Sequence, residues 1–195
     1  MRRCMFAVLA ALSLSAGVRA TTVIAPSFDV LIAQADAVVE TEVVDTRSRF
    51  VAYRDGAPIV TDVYFRVEKV LKGAPASTLV LQFFGGQVGD VGFRVDGVPS
   101  FAKGDRDVLF AITSAPQVSP IVGMMHGRVR ITPDTATRQD IVRVFDGTPL
   151  SDVRIFGSAM RPSAAAHQPA MTLGAFETAV TSEVARQAAA RGRRP

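Results

Sequence analysis

The chain has 195 residues, 48% of them hydrophobic and 21% charged, with 15 Gly, 11 Pro, one Cys, two His and no Trp. That composition excludes a disordered chain, a collagen-like repeat and a fold built on disulfides. One domain with its own core fits the length, and the formal charge of +4, from 22 basic and 18 acidic residues, is unevenly distributed along the chain.

The basic residues concentrate at the two ends. Arg2 and Arg3 precede the apolar run from Met5 to Leu12, and Val18-Arg19-Ala20 follows. This is the three-part pattern of a secretory signal, with residues 1–20 removed by cleavage after Ala20 and Thr21 as the mature N-terminus. The run is well short of a bilayer span, so no transmembrane segment is expected after cleavage, and the expected location is periplasmic or secreted. Arg2-Arg3-Cys4-Met5-Phe6 also fits a loose twin-arginine pattern, which leaves the export route open. Cleavage removes Cys4, and with it disulfides, thiol catalysis and thiolate metal sites. It also removes Arg2, Arg3 and Arg19, leaving 19 basic against 18 acidic groups. Four of those 19 are Arg186, Arg191, Arg193 and Arg194 in the tail, so residues 21–185 carry a net charge of −3. A basic face for nucleic acid is unsupported by that distribution.

In chain order, Ser27 is placed to cap a short helix through Phe28, Leu31, Ile32 and Ala35. Val39, Thr41 and Val43 then alternate with Glu40, Glu42 and Val44, a ragged period of two that runs toward Tyr53 and predicts a half-buried strand. Asp55-Gly56 supplies a hairpin signal. The clearest strand follows, with Val63, Phe65 and Val67 on one side and Tyr64, Arg66 and Glu68 on the other. Lys72-Gly73-Ala74-Pro75 ends it, and the β-prone TLVLQFF from Thr78 to Phe84 begins another. Residues 85–101, GGQVGDVGFRVDGVPSF, predict a long Gly-rich connection of the kind that is usually functional or mobile. Asp107 to Thr113 is apolar on both parities, as in a strand covered on both faces. Ile121 to Ile131 and Ile141 to Phe145 predict further strands, separated by a Pro133-Asp134 turn. Residues 157–171 are rich in Ala, Pro and Ser and predict a linker. Thr172 then caps a final helix, residues 172–195 with the basic tail, in which Leu173, Phe176, Val180 and Val184 form one stripe. The whole predicts an all-β or β-dominated domain over residues 21–156, an OB-like small β-barrel or a sandwich, with a short N-terminal helix and a C-terminal helix.

Chemistry is sparse. GGQVGDVG has neither the Gly-Lys-Ser/Thr of a phosphate loop nor a following helix, because Phe93-Arg94-Val95 reads as extended chain. A flexible connection is the plain reading, and Gly85, Gly86, Gln87, Gly89, Asp90, Gly92, Phe93 and Arg94 are the candidate lip of any binding surface. His126 shares strand parity with Arg128 and Arg130, which places it on a solvent-facing side if no bulge intervenes. A hydrolytic base there lacks any nucleophile-elbow motif, and His167 lies in the linker. Two distant His and no mature Cys cannot build the usual zinc set. Asp105 with Asp107, or Asp90 with Asp96, are carboxylates open to calcium, but without EF-hand spacing, so no metal ligand and no cofactor is assigned.

Four segments carry a resemblance: ADAVVETEVV from Ala35, IVTDVYFRVEKVLKG from Ile59, the run from Gly85 to Phe110, and IVGMMHGRVRI from Ile121. Together they resemble a group of uncharacterised exported bacterial proteins, with Thr41 where glycine is usual and Asp105 where glutamate is. The strand plan is also distantly similar to the netrin-like domains of tissue inhibitors of metalloproteinases, which implies an OB-like barrel. The expectation is an exported, non-enzymatic binding or protein-interaction module, whose partner is an extracytoplasmic protein or small ligand. The alternatives are an inhibitor or accessory of a secreted protease, using residues 21–26 or the Gly-rich loop, and a hydrolase using His126.

Overall fold

The computed structural model describes residues 25–53, 56–114, 116–157 and 169–193. Residues 1–20, where a secretory signal is expected, Asp55 and most of the 157–171 segment with His167 lie outside the described residues. Six strands form one antiparallel sheet: β1 (Ala37–Phe50), β2 (Ile59–Lys72), β3 (Thr78–Phe84), β6 (Arg106–Ala111), β7 (Arg128–Asp134) and β8 (Gln139–Arg143), in the order β3-β2-β1-β6-β7-β8. The short strands β4 (Gly86–Val88) and β5 (Val91–Phe93) form a separate hairpin. Among the described residues the fold is β-dominated with two α-helices, α1 (Phe28–Gln34) and α2 (Leu173–Arg191). It is not a closed barrel, because no described ladder joins β3 to β8.

The sheet is buried on both faces by different material. Alternation in β6 sends Val108 and Phe110 into a core beneath the helices, and Leu109 and Ala111 into a core beneath the Gly-rich segment. The two-sided apolarity of β6 in the sequence is therefore realised. On β1, Val39, Thr41 and Val43 point to the Gly-rich side and are buried, as their period predicts. Glu40 points to the other side but is covered there, only 8% exposed, with Oε1 accepting from Arg106 at 3.1 Å. Burial raises its carboxyl above the ordinary range, against the pull of Arg106.

The raggedness of β1 has a structural cause. The β1–β2 register shifts three times, and at Val43/Asp45 the extra residue is Val44. A bulge turns every later side chain of the strand to the opposite face. Thr46 and Ser48 consequently oppose Val63 and Thr61 on the Gly-rich side.

Local signals met different fates. Thr172 accepts from Ala175 N at 3.2 Å and caps α2 as predicted. Ser27 occupies the N-cap position of α1 but makes no capping bond; its hydroxyl instead donates to Asp29 at 2.6 Å. Ile121 to Ile131 is not a continuous strand. Ile121 makes an isolated bridge to Ala111, and Gly123 and Met124 then take φ of 63° and 61°, a left-handed pair that ends extended chain until Arg128. Pro133 and Asp134 belong to the end of β7, and the turn itself is residues 135–138. Asp134 still serves that turn, accepting from Ala136 N at 3.1 Å and Thr137 Oγ1 at 2.6 Å.

The α2 stripe docks on the sheet as its spacing predicts: Phe176 and Val180 are buried, with Leu173 and Val184 packed beside them. The Phe176 ring lies 6.1 Å from that of Phe28 and 6.4 Å from that of Phe110, so it joins both helices to the sheet. No described helix is long and apolar enough to cross a membrane. Removing the Phe176 ring leaves a cavity at this junction, and Phe176→Ala is expected to cost about 3–5 kcal/mol. Urea unfolding would check this, and a loss of less than about 1 kcal/mol would show that α2 is not an integral layer.

Candidate binding cleft

The Gly-rich segment leaves β3 by a sharp reversal at Gly85 and Gly86. Gly85 N donates back to Ile59 O at 2.8 Å, and Gly85 O accepts from Thr61 Oγ1 at 2.6 Å. Gly86 has φ of 138° and lies against the Ser48 and Thr61 hydroxyls, where a Cβ would come within 2.2 Å of Thr61 Oγ1 and 2.6 Å of Ser48 Oγ. Glycine is therefore required twice, for its dihedral and for the close approach. The chain then forms the β4–β5 hairpin, closed by the two-residue turn Gly89-Asp90 with Gly89 at φ 57°. The region expected to be an irregular connection thus contains a hairpin lying over the sheet.

Between this hairpin, the following loop and the β1–β2–β3 surface is a cleft of about 430 Å³. This is within the usual range for small-ligand sites, roughly 300–1,000 Å³. Six of the eight predicted lip residues line it: Gly85, Gly86, Gln87, Gly92, Phe93 and Arg94. Gly89 and Asp90 do not line it; they form the hairpin tip, where Gln87 Nε2 donates to Gly89 O at 3.1 Å. Sequence reasoning missed the lining outside residues 85–101, which is the hydroxyl floor of Thr46, Ser48 and Thr61, and Val63, Phe83 and Phe84, which with Phe101 form the apolar wall. The Val43-Val44 doublet was the available signal, since a bulge there brings Thr46 and Ser48 to the same face as Thr61.

The wall is held from below by a buried ion pair. Arg128, on β7, donates from Nε to Asp107 Oδ1 at 2.9 Å and from Nη2 to Asp107 Oδ2 at 3.0 Å. Nη2 also reaches Asp105 Oδ2 at 2.8 Å, and Nη1 donates to Ser100 O at 2.6 Å. The guanidinium carbon sits 4.1 Å from the centroid of the Phe101 ring. Burial pushes the Asp107 carboxyl up, and the two-pronged contact with Arg128 opposes that shift. The parity that groups Arg128 with Arg130 is right, but the solvent-facing assignment is wrong for Arg128, which is 6% exposed because residues 98–105 cover that face. The same network occupies Asp105 and Asp107 with arginine, and no group of metal-binding side chains is found among the described residues.

His126 is apart from the cleft, in the turn before β7, and so does not share the strand geometry assumed for it. Its ring packs edge-on against Phe145 at 4.9 Å, and burial holds its imidazole below the ordinary value of 6.5. Among the described residues, Arg94 is the only charged residue lining the cleft, and its guanidinium has no hydrogen-bond or ion-pair partner there.

Two outcomes follow. Gly86→Ala is expected to lower stability by about 1–3 kcal/mol, read as a fall in the urea midpoint, because the new Cβ needs both a strained φ and displaced hydroxyls. An unchanged midpoint would mean that the hairpin is not seated on Ser48 and Thr61. For His126 the folded value is depressed, so the unfolded chain binds the proton first as pH falls. Its contribution is full above the unfolded value and is lost as pH drops through the folded one. The stability of His126→Gln should therefore fall less than that of the wild type between about pH 7 and pH 5; parallel pH profiles would contradict the burial of the ring.

Comparison with protein-family models, curated proteins and solved structures gives no match for this chain.

Proposed function

We propose that this chain is an exported, non-enzymatic binding module whose ligand seats in the cleft between the β4–β5 hairpin and the β1–β2–β3 surface. The observation that carries this reading is the cleft itself. The segment singled out as a lip folds as one side of a concavity of about 430 Å³, lined by Phe83, Phe84, Phe93 and Phe101 together with four hydroxyl side chains, Thr46, Ser48, Thr61 and Ser100. Apolar walls with a few convergent polar groups are the usual makeup of a ligand site. With unpaired Arg94 as the one charged lining residue, the chemistry favours a ligand with an aromatic or branched apolar body and an anionic end. Export rests on the Arg2-Arg3 and Met5-to-Leu12 pattern. The OB-like relation rests on the long, bulged β1–β2 ladder, since bulges are what curl such sheets.

A second reading, an inhibitor or accessory of a secreted protease, draws on the hairpin, where Val91 and Phe93 are 54% and 41% exposed. The hydrolase reading has less support: the His126 ring packs on Phe145, and no hydrogen bond joins it to a carboxylate among the described residues.

The binding reading is tested by titrating phenylacetate and indole-3-acetate into the labelled protein while following its amide NMR signals. Saturable shifts confined to residues 46–48, 61 and 83–101 are expected, weakened about tenfold in Arg94→Ala. Shifts scattered elsewhere, or none, would reject the cleft as the site. Sequencing the N-terminus of protein recovered from the periplasm or medium tests export: a start at Thr21 is expected, and an intact Met1 would reject cleavage.

A further inference from the structure

The two outer strands of the sheet are treated very differently. The open side of β8 is covered by the chain's own backbone: Leu150 N donates to Val142 O at 3.0 Å, Val142 N to Met171 O at 3.0 Å, and Thr172 bridges Ile141. At the ends of β3, the flanking Gly85 N and Ser77 O bond inward to Ile59 and Val67 of β2, while Phe84 N bonds outward to Val118 O at 3.0 Å. Alternation along the strand then fixes the rest. Leu79, Leu81 and Phe83 direct their backbone groups to β2, and Thr78, Val80 and Gln82 direct theirs outward, with no partner among the described residues.

Edge strands are ordinarily protected by charge, proline, bulges or a covering segment. The sequence TLVLQFF has no charged residue and no proline, its ladder to β2 has no register shift, and Val80 is 48% exposed. The open stretch is bounded at one end by Pro75 and at the other by the Phe84–Val118 bond, which centres it on Val80. A strand so bounded is complementary to itself. In an antiparallel register about Val80, Val80 faces Val80 and Thr78 faces Gln82, so all three outward residues exchange their backbone bonds. On the other face Leu79 meets the partner's Leu81, which extends the apolar layer beneath the Gly-rich segment from one copy into the next.

We propose that two copies of this chain associate through β3, edge to edge and antiparallel about Val80, doubling the six-stranded sheet. The absence of charge on the strand means that self-pairing opposes no like charges, and the two-fold arrangement is closed, ending at a dimer.

Sedimentation equilibrium over a dilution series tests this with the wild type, Val80→Lys, Val80→Glu and an equal mixture of the two variants. Circular dichroism confirms that each variant is folded. The wild type is expected at twice the monomer mass, dissociating on dilution, and each variant should self-associate more than about tenfold more weakly, because like charges then face each other across the axis. The mixture should regain the dimer, since Lys faces Glu. A wild type that stays monomeric would overturn self-pairing and leave the edge to some other extended strand. A dimer that survives Val80→Lys, or a mixture no more associated than its components, would overturn the Val80-centred interface.

Discussion

The organisation of the Gly-rich side depends on one charge being buried. A guanidinium taken out of water is tolerated only when its donors are satisfied, and a carboxylate beside it only when the geometry is close. Arg128 meets this condition by drawing on three parts of the chain: the Asp107 carboxylate of β6, the Asp105 carboxylate just before β6, and the Ser100 carbonyl of the loop. Its flat face is covered by Phe101. The loop makes burial of the charge possible, and the charge in turn fixes the loop. Such a pair adds little net stability compared with apolar residues of the same size. What it supplies is a defined position for Ser100 and Phe101, which are wall residues of the cleft.

The two faces of the sheet divide the labour accordingly. On the helix side, Leu31, Phe110, Phe176 and Val180 are fully buried aliphatic and aromatic side chains, and packing alone specifies their arrangement. On the other side the cover is a polar, glycine-rich segment that cannot pack as a helix does. It is tied down at discrete points: Gly86 on Ser48 and Thr61, and residues 100–105 on Arg128. A space remains between those two anchors, and that space is the cleft. Phe83, at 2% exposure, continues the apolar layer of the sheet up to its wall.

Much of this architecture was legible in the residues. The alternation of Val63, Phe65 and Val67, the two-sided apolarity of β6 and the stripe on α2 report burial directly, because periodicity is the imprint of a face. The lip was legible as a Gly-rich stretch too long for an ordinary turn, although the plain reading of that stretch was a flexible connection. Four things were hidden. The Val44 bulge turns Thr46 and Ser48 inward, and a one-residue insertion leaves only a doublet of valines in the sequence. Arg128 looks like any solvated strand arginine until residues far from it in sequence close over it. Gly123 and Met124 break a run that otherwise has strand composition, because both take left-handed dihedrals. Finally, Thr41 and Asp105 fall in one cluster: Thr41 Oγ1 donates to Asp107 O at 3.1 Å, and Asp105 receives Arg128. Their proximity exists only in the folded chain.

The claim that Arg128 positions the cleft wall, rather than merely stabilising the fold, is tested most directly by hydrogen exchange in the double variant Arg128→Met, Asp107→Leu. Replacing both charges by apolar groups avoids stranding either one and should leave global stability near that of the wild type. Faster exchange is expected only at the amides of Val98, Ala102, Gly104 and Asp105, with the β2–β3 ladder and α2 protected as before. Unchanged exchange at those four amides in a folded double variant would contradict it.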